Sequence, residues 1–237
     1  MKLKPALLAV TAATLGALAA PPAAGAEFHR QPLATGIETY GYTWNTPDQD
    51  INKALAHKAS AKNGQTAYKI CKGCHKADGS GLSDADYPQL AGQHASVIIK
   101  QLMDIRAGRR DNPRMYPFSG EWIVSAEEIA DIAAYLSKLP PTGDNGKGDG
   151  TRLAQGKALY DKDCANCHGS NGEGDAKKFY PMVAHQHYVY LKRETRESRD
   201  QGRRNANTEM VKVLKNYCDA DIEAVSDYMS RLTAAKK

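Results

Sequence analysis

The feature that most constrains this chain of 237 residues is an internal repeat. The stretch "YKICKGCHKADGSG" contains Cys71, and "YDKDCANCHGSNGEG" carries Cys164 at the equivalent point, 93 positions later (164 − 71). Further along, "YPQLAGQH" at 87–94 recurs as "YPMVAHQH" at 180–187 with the same offset. Self-similarity at a fixed spacing indicates similar structural units in tandem. The repeat therefore predicts two domains rather than one.

The first 26 residues have the pattern of a secretory signal. Lys2 and Lys4 make a positive start, residues 6–20 form an apolar run, and 24–26 is a small-residue cleavage site. The apolar run is shorter than the roughly 20 residues that a transmembrane helix needs. We expect a soluble, exported, periplasmic protein that begins near Glu27.

Helical patterns follow each repeated motif, and strand patterns are absent. In "SAEEIADIAAYLSKL", Ser125 can cap a helix and Glu128 can complete a capping box. The helix then presents one apolar stripe formed by Ile129, Ile132, Ala133 and Leu136. The equivalent stripe in the second repeat is Ile222, Val225, Met229 and Leu232. We predict an all-α chain in which each half is a small helical bundle.

Each repeat contains one Cys-x-x-Cys-His motif, formed by Cys71, Cys74 and His75 and by Cys164, Cys167 and His168. Disulfides suit an exported protein, but five cysteines is an odd number and disulfides require no adjacent histidine. One shared zinc ion would need both pairs to converge. A thioredoxin-like pair would need a βαβ setting. The motif favours covalent c-type haem attachment, in which each thiol adds to a vinyl group and the histidine binds iron.

Two attachment motifs predict two covalently attached haem c groups, with His75 and His168 as proximal ligands. The sixth ligand decides the chemistry, because methionine closes the iron site and favours electron transfer. Met115 and Met210 follow matching double arginines and lie in or beside polar stretches. We assign them as axial ligands, with core packing as the alternative. Met103 and Met229 lie in apolar helical patterns and are assigned to the core.

Two other recurring or unusual groups leave alternatives open. His94 and His187 occupy equivalent positions and could give bis-histidine haems, although capping or hydrogen bonding near the haem explains them as well. Cys218 stands at the position of Ser125 and is interpreted as a helix cap. The alternative for this thiol is a reactive group or an iron ligand.

These motifs resemble the di-haem class I cytochromes c of the cytochrome c4 type, over about residues 63–237. The resemblance implies two tandem cytochrome c folds related by pseudo-twofold symmetry, each with His/Met ligation, that pass electrons toward a terminal oxidase. His185 replaces Gly92 in the second repeat, which puts the local backbone there in question. Residues 27–62 are an extension beyond the family pattern, and the sequence alone does not choose between packing on a domain and packing on a partner.

The resulting organisation has five segments. They are a signal peptide at 1–26, an N-terminal extension at 27–62, a first cytochrome c domain at 63–140, a linker at 141–151 and a second cytochrome c domain at 152–237. The linker is rich in proline and glycine. Basic clusters precede both methionines: Arg106, Arg109, Arg110 and Arg114, then Arg193, Arg196, Arg199, Arg203 and Arg204. They indicate a solvated face, or else propionate pairing or a docking surface for an acidic partner.

The sequence predicts an electron carrier without catalysis of its own. Expected partners are redox proteins: a donor dehydrogenase or quinol-oxidising complex, and an acceptor oxidase or reductase. Peripheral association with a membrane complex is compatible with this role, and a nucleic-acid partner is not expected. The alternative is a haem enzyme, or an electron-transfer subunit of a periplasmic dehydrogenase, sulfur-oxidising or peroxidase-like complex.

Overall fold

The computed structural model describes residues 30–45, 47–84 and 87–234. In these ranges the regular elements are helices, apart from an isolated antiparallel bridge between Asp175 and Tyr180. From Gln31 onward the chain forms one compact unit. None of the described helices combines the length and apolar character needed to cross a membrane. The predicted all-α class is confirmed, whereas the predicted signal segment lies outside the described residues.

The α-helices in chain order are α1 (Gln49–Ala56), α2 (Ala61–Ala67), α3 (Lys72–His75), α4 (Ala95–Arg106), α5 (Tyr116–Ser119), α6 (Ala126–Leu136), α7 (Leu153–Leu159), α8 (Ala165–His168), α9 (Tyr188–Arg199), α10 (Thr208–Leu214) and α11 (Asp219–Ser230). A 3₁₀ turn (Tyr68–Ile70) precedes α3, and a π-helix (Tyr160–Cys164) precedes α8. We call α2–α6 domain 1 and α7–α11 domain 2.

The last helix of each domain begins as the sequence predicts. The Ser125 hydroxyl accepts from the Glu128 amide at 3.1 Å, and the Ser125 amide donates to the Glu128 carboxylate at 2.8 Å. At the start of α11 the Cys218 amide donates to Asp221 Oδ2 at 3.0 Å, so the thiol residue stands at the capping position. Both predicted apolar stripes face inward, since Ile129 and Ile222 are fully buried.

In each domain the first helix crosses the last at a glycine. A Cβ on Gly64 of α2 would lie 1.9 Å from the Asp131 carbonyl oxygen of α6. A Cβ on Gly156 of α7 would lie 2.1 Å from the Ala224 carbonyl oxygen of α11. Only a residue without a side chain permits such close backbone approach. In each domain the helix that precedes the haem motif is thereby packed against the last helix.

Residues 31–45 and 47–57, which we call the strap, pack on the rest of the chain rather than extending from it. Helix α1 contacts α4 and α6, and its Ile51 and Ala54 are buried in the core of domain 1. The strap also reaches domain 2, because the Ile37 amide donates to the Arg204 carbonyl at 2.8 Å. Trp44 stacks on Tyr180 with ring centroids 5.7 Å apart. The strap therefore contacts both domains.

Part of the basic clusters forms a buried network between the domains. Arg110 and Arg203 occupy equivalent positions, and each donates both to Gln101 of α4 and to Glu194 of α9. Although burial opposes ionisation, the two guanidinium groups lower the pKa of Glu194 to about 2. These arginines therefore lie neither on a solvated face nor on a free docking surface. One buried carboxylate, that of Glu194, accepts hydrogen bonds from both guanidinium groups.

The replacement of Gly92 by His185 leaves the backbone conformation unchanged. Gly92 has a φ of 77° and His185 a φ of 62°, both in the left-handed region. A Cβ on Gly92 would lie 2.5 Å from Pro141 Cγ, so domain 1 has no room for a side chain there. The left-handed conformation of a non-glycine residue costs on the order of 1 kcal/mol. The sequence-based concern about the fold of domain 2 at this point is wrong.

Candidate haem-binding sites

The four paired cysteines lie on the short helices that follow the first helix of each domain. Cys71 and Cys164 occupy the N-cap positions of α3 and α8, and Cys74 and Cys167 lie one turn later. All four are half-buried, and none of them forms a disulfide. One turn of helix places both sulfurs of a pair beside the histidine that follows them. This local geometry suits two thioether bonds to one planar group.

Burial favours the neutral thiol form of the first cysteine in each pair. Burial raises the pKa of Cys71 to about 11 and that of Cys164 to about 12. A redox-active pair or a thiolate zinc site requires the opposite, a lowered thiol pKa. Among the described residues, moreover, no three His, Cys, Asp or Glu side chains are grouped closely enough to hold a metal ion. The surroundings of Cys71 and Cys164 therefore do not favour the thiolate that disulfide exchange requires.

The two motif histidines are oriented identically by backbone carbonyls. His75 Nδ1 donates to the Pro88 carbonyl oxygen at 3.2 Å, and His168 Nδ1 donates to the Pro181 carbonyl oxygen at 3.0 Å. Desolvation lowers the pKa of both imidazoles. A neutral ring that carries its hydrogen on Nδ1 leaves the Nε2 lone pair as the metal-binding atom. The residues present thus fit a haem iron in each domain.

A tyrosine fixes the turn after each histidine. The Tyr68 hydroxyl donates to the Lys76 carbonyl at 2.9 Å, and the Tyr160 hydroxyl donates to the Gly169 carbonyl at 2.6 Å. Lys76 and Gly169 are equivalent residues and both have a positive φ. The two haem motifs are therefore anchored in the same way despite their different sequences.

Met115 and Met210 lie at the start of equivalent helices, and their assignment as axial ligands stays a prediction. Met115 immediately precedes α5, whereas Met210 lies in the first turn of α10 and packs against the domain 2 core. Both are half-buried. Met103 and Met229 are buried in the two cores, which confirms the core assignment for these two.

Met115 and Met210 each follow, by three residues, an asparagine that the sequence interpretation did not single out and whose side chain accepts from a backbone amide. Asn112 Oδ1 accepts from the Met115 amide at 3.1 Å, and Asn207 Oδ1 accepts from the Glu209 amide at 2.9 Å. The spacing Asn-x-x-Met is the same in both domains. This recurrence was available in the sequence and strengthens the equivalence of the two methionines.

The recurring histidines 94 and 187 bridge the domains. His94 Nε2 donates to the Glu173 carbonyl of domain 2 at 2.8 Å, and His187 Nε2 donates to the Ser80 carbonyl of domain 1 at 2.7 Å. The contacts are reciprocal, since Ser80 and Glu173 are also related by the 93-residue offset. Because each Nε2 is bonded to the other domain, this arrangement favours the hydrogen-bonding interpretation over bis-histidine ligation.

The fold and the paired sites define a di-haem c-type cytochrome with two covalently attached haem c groups. The cytochrome c family model matches residues 61–140 and 153–233. The chain is 31% identical to a cytochrome c4 of Azotobacter vinelandii, covering 75% of this chain and 92% of that protein. It belongs to the cytochrome c family and is similar to the di-haem cytochromes c4.

Two further relatives agree with this assignment. A thiosulfate dehydrogenase electron acceptor of Stutzerimonas stutzeri is 32% identical over 75% of this chain and 90% of that protein. A crystal structure of reduced recombinant cytochrome c4 from Pseudomonas stutzeri superposes with a TM-score of 0.66 at 29% identity, covering 74% of this chain and all (100%) of that chain. The strap precedes the first residue that the family model matches. The protein is therefore a cytochrome c4-like electron-transfer protein with an added N-terminal segment.

Proposed function

We propose that this protein is a periplasmic carrier of single electrons with no catalytic activity of its own. Cys71, Cys74, Cys164 and Cys167 would hold the two haems, with His75 and His168 as proximal ligands and Met115 and Met210 as distal ligands. The observation that carries the proposal is the paired histidine geometry. In both domains Nδ1 is bonded to a proline carbonyl, which leaves Nε2 for iron.

When bound, haem c supplies reversible one-electron chemistry at potentials that its ligands and surroundings set. The chain's own part is to hold each imidazole in one orientation and to close the distal side with sulfur. A closed distal side excludes water and exogenous ligands. Domains of about 80 residues also gain apolar bulk from a covalent group, because a core made from so short a chain alone is marginal.

Export would depend on the predicted signal peptide at 1–26. The expected donor is a dehydrogenase or a quinol-oxidising complex, and the expected acceptor is an oxidase or reductase. Support for these partner classes comes from relatives named cytochrome c4 and from one named as a thiosulfate dehydrogenase electron acceptor.

Haem content and ligation test the proposal directly. Mass spectrometry of the exported protein is expected to give two added haems. The long-wavelength band of methionine-ligated ferric haem should correspond to two equivalents, with one lost in Met115→Ala and one in Met210→Ala. Met229→Leu, a volume-conserving change in the core, is the matched control and should keep both. A protein without added haem, or with one band equivalent in the unmodified chain, would contradict the proposal.

A second candidate is the electron-acceptor subunit of a sulfur-compound dehydrogenase. It is favoured by the relative that is named as a thiosulfate dehydrogenase electron acceptor. Mixing the oxidised protein with such a dehydrogenase and thiosulfate should reduce both haems faster than mixing with thiosulfate alone. Binding of cyanide or carbon monoxide to one haem of the unmodified protein would instead indicate an enzyme with an open iron.

A further inference from the structure

Each proximal histidine is connected to the opposite domain through a single peptide unit. The Pro88 carbonyl oxygen accepts from His75 Nδ1 at 3.2 Å. The amide nitrogen bonded to that carbonyl carbon belongs to Gln89, and its N–H donates to Gln186 Oε1 of domain 2 at 2.9 Å. One peptide group therefore accepts from the histidine of domain 1 and donates to a side chain of domain 2.

The equivalent series of hydrogen bonds is present in domain 2. The Pro181 carbonyl oxygen accepts from His168 Nδ1 at 3.0 Å. The amide of the next residue, Met182, donates to Gln93 Oε1 of domain 1 at 2.9 Å. Gln93 and Gln186 are related by the 93-residue offset, as are Gln89 and Met182. Two crossed connections thus run between the domains.

The two glutamine side chains are held so that only one orientation is compatible with their partners. Gln186 Nε2 donates to the Gln89 carbonyl at 2.9 Å, and Gln93 Nε2 donates to the Met182 carbonyl at 2.9 Å. Each Oε1 also accepts from the amide of the following histidine, at 3.1 Å for His94 and 3.0 Å for His187. Gln93 is 8% exposed and Gln186 is 6% exposed, so water competes little for these bonds.

A peptide group transmits polarisation from one end to the other. Donation from its N–H increases the negative charge on its carbonyl oxygen, because hydrogen bonds in series strengthen one another in a buried environment. A stronger carbonyl acceptor draws the Nδ1 hydrogen away from the imidazole and raises the basicity of the ligand. A more basic proximal ligand stabilises ferric over ferrous iron. The bond to the distant glutamine therefore acts on the one-electron equilibrium of the haem.

We propose that Gln186 of domain 2 and Gln93 of domain 1 are positioning residues that lower the reduction potential of the haem in the opposite domain. The proposal rests on the proximal roles of His75 and His168 and adds residues outside the haem motifs. Neither glutamine acts on the haem of its own domain by this route. The two potentials are in this way coupled to the docking of the domains.

The test uses Gln186→Met and Gln93→Met, which retain side-chain length but remove the acceptor oxygen together with the donor Nε2. Loss of one bond from the series is expected to shift the equilibrium of the opposite haem about threefold toward the ferrous form, which is about 28 mV at 59 mV per tenfold. The same-domain haem should keep its potential. Potentials are read for each haem from its methyl NMR resonances during a redox titration. The Nδ1 proton and nitrogen shifts of His75 and His168 provide a second readout in the ferrous protein.

Ser96→Ala is the matched control. It removes a 2.6 Å bond between the Ser96 hydroxyl and the Ala176 carbonyl of the other domain without touching either peptide unit. The crossed pattern of shifts with an unchanged control supports the proposal. Equal shifts at both haems, or unmoved potentials and Nδ1 shifts in variants that carry two haems, would overturn it. If one glutamine variant does not fold, the potentials of the other glutamine variant decide the test. A lack of two methionine-ligated haems in the unmodified protein is instead a failure of the proposed function.

Discussion

Beside the first haem cysteine, domain 1 has an apolar surface, whereas domain 2 has polar side chains bonded to one another. Ile70, next to Cys71, is 45% exposed, and its equivalent Asp163 accepts from the Tyr217 hydroxyl at 2.9 Å. The segment after Met115 also leaves apolar side chains accessible, namely Phe118, Trp122 and Ile123. The shorter segment after Met210, all of which the structure describes, has one exposed large apolar side chain, that of Val213.

The interiors of the domains do not differ in this way. The glycine crossing, the tyrosine that anchors the turn, and the histidine bonded to a proline carbonyl all recur at equivalent positions. These contacts hold the haem peptide and cannot change without changing its geometry. Side chains on the outer faces are free of that constraint. The two domains therefore share the interior that holds the haem peptide and differ in the side chains on their outer faces.

The largest effect is expected from substitutions at the glycine crossings that both domains share. Gly64→Ala and Gly156→Ala place a methyl group against a backbone carbonyl that cannot rotate away, so each should destabilise its own domain by about 3 kcal/mol. Guanidinium unfolding followed by the methyl NMR resonances of each haem measures the loss. Gly143→Ala, outside both haem motifs, is the matched control, since its Cβ would meet nothing within 4 Å. Equal stability of Gly64→Ala and the control would contradict the crossing.

The next effect concerns Glu194, the carboxylate that accepts from Arg110, Arg193 and Arg203. The pKa of Glu194 is about 2 in the folded protein, below the ordinary value of 4.5. Its stabilisation is therefore complete above about pH 5 and is lost as the pH falls toward 2, by an amount on the order of 3 kcal/mol.

Thermal unfolding measured from about pH 6 to about pH 2, the range over which Glu194 becomes protonated, tests this acid dependence. Glu194→Gln reproduces the amide that domain 1 already has at Gln101, and it should lower stability at neutral pH while flattening the acid limb. The exposed pair of Lys212 and Glu209 offers a control, because Glu209→Gln should leave the curve unchanged. If Glu194→Gln loses thermal stability at low pH as much as the unmodified protein does, the loss belongs to another group.

A smaller effect is expected from a substitution in the strap, which packs its helix α1 on domain 1 and has no counterpart on domain 2. Ile51→Ala removes a buried side chain for which domain 2 has no counterpart, and it should cost about 2 kcal/mol. Leu33→Ala, in the same strap but 83% exposed, should cost almost nothing. Domain-resolved unfolding is the measurement. Loss confined to domain 2 would contradict the packing of α1 on domain 1.

The smallest effect tests the one thiol outside the haem motifs. Cys218→Ser gives α11 the same cap residue as α6, so stability should change by less than about 0.5 kcal/mol. The ferric absorption spectrum should be identical, because the exposed Cys218 side chain bonds to Asp221 at 3.2 Å. A changed ferric spectrum would instead support the iron-ligand alternative.

Much of the candidate site could be predicted because its signals are local. A Cys-x-x-Cys-His motif brings its sulfurs and imidazole together within one helical turn, whatever surrounds it. Ser125 and Glu128 are three residues apart and meet whenever the helix forms. The partners of Arg110 could not be found in this way, because Glu194 is 84 residues distant and adjoins it only after the domains dock.

Short-range spacing and periodicity in the amino-acid sequence were enough to predict two haem-attachment sites and an all-helical repeat. The position of the strap, the burial of particular arginines and the glutamine that reaches each proline peptide could be seen only in the packed structure. Those contacts depend on the relative position of two packed domains, and no local pattern encodes the distance between them. For this reason Gln93 and Gln186 were visible as a repeat in the sequence, but their crossing to opposite histidines was not.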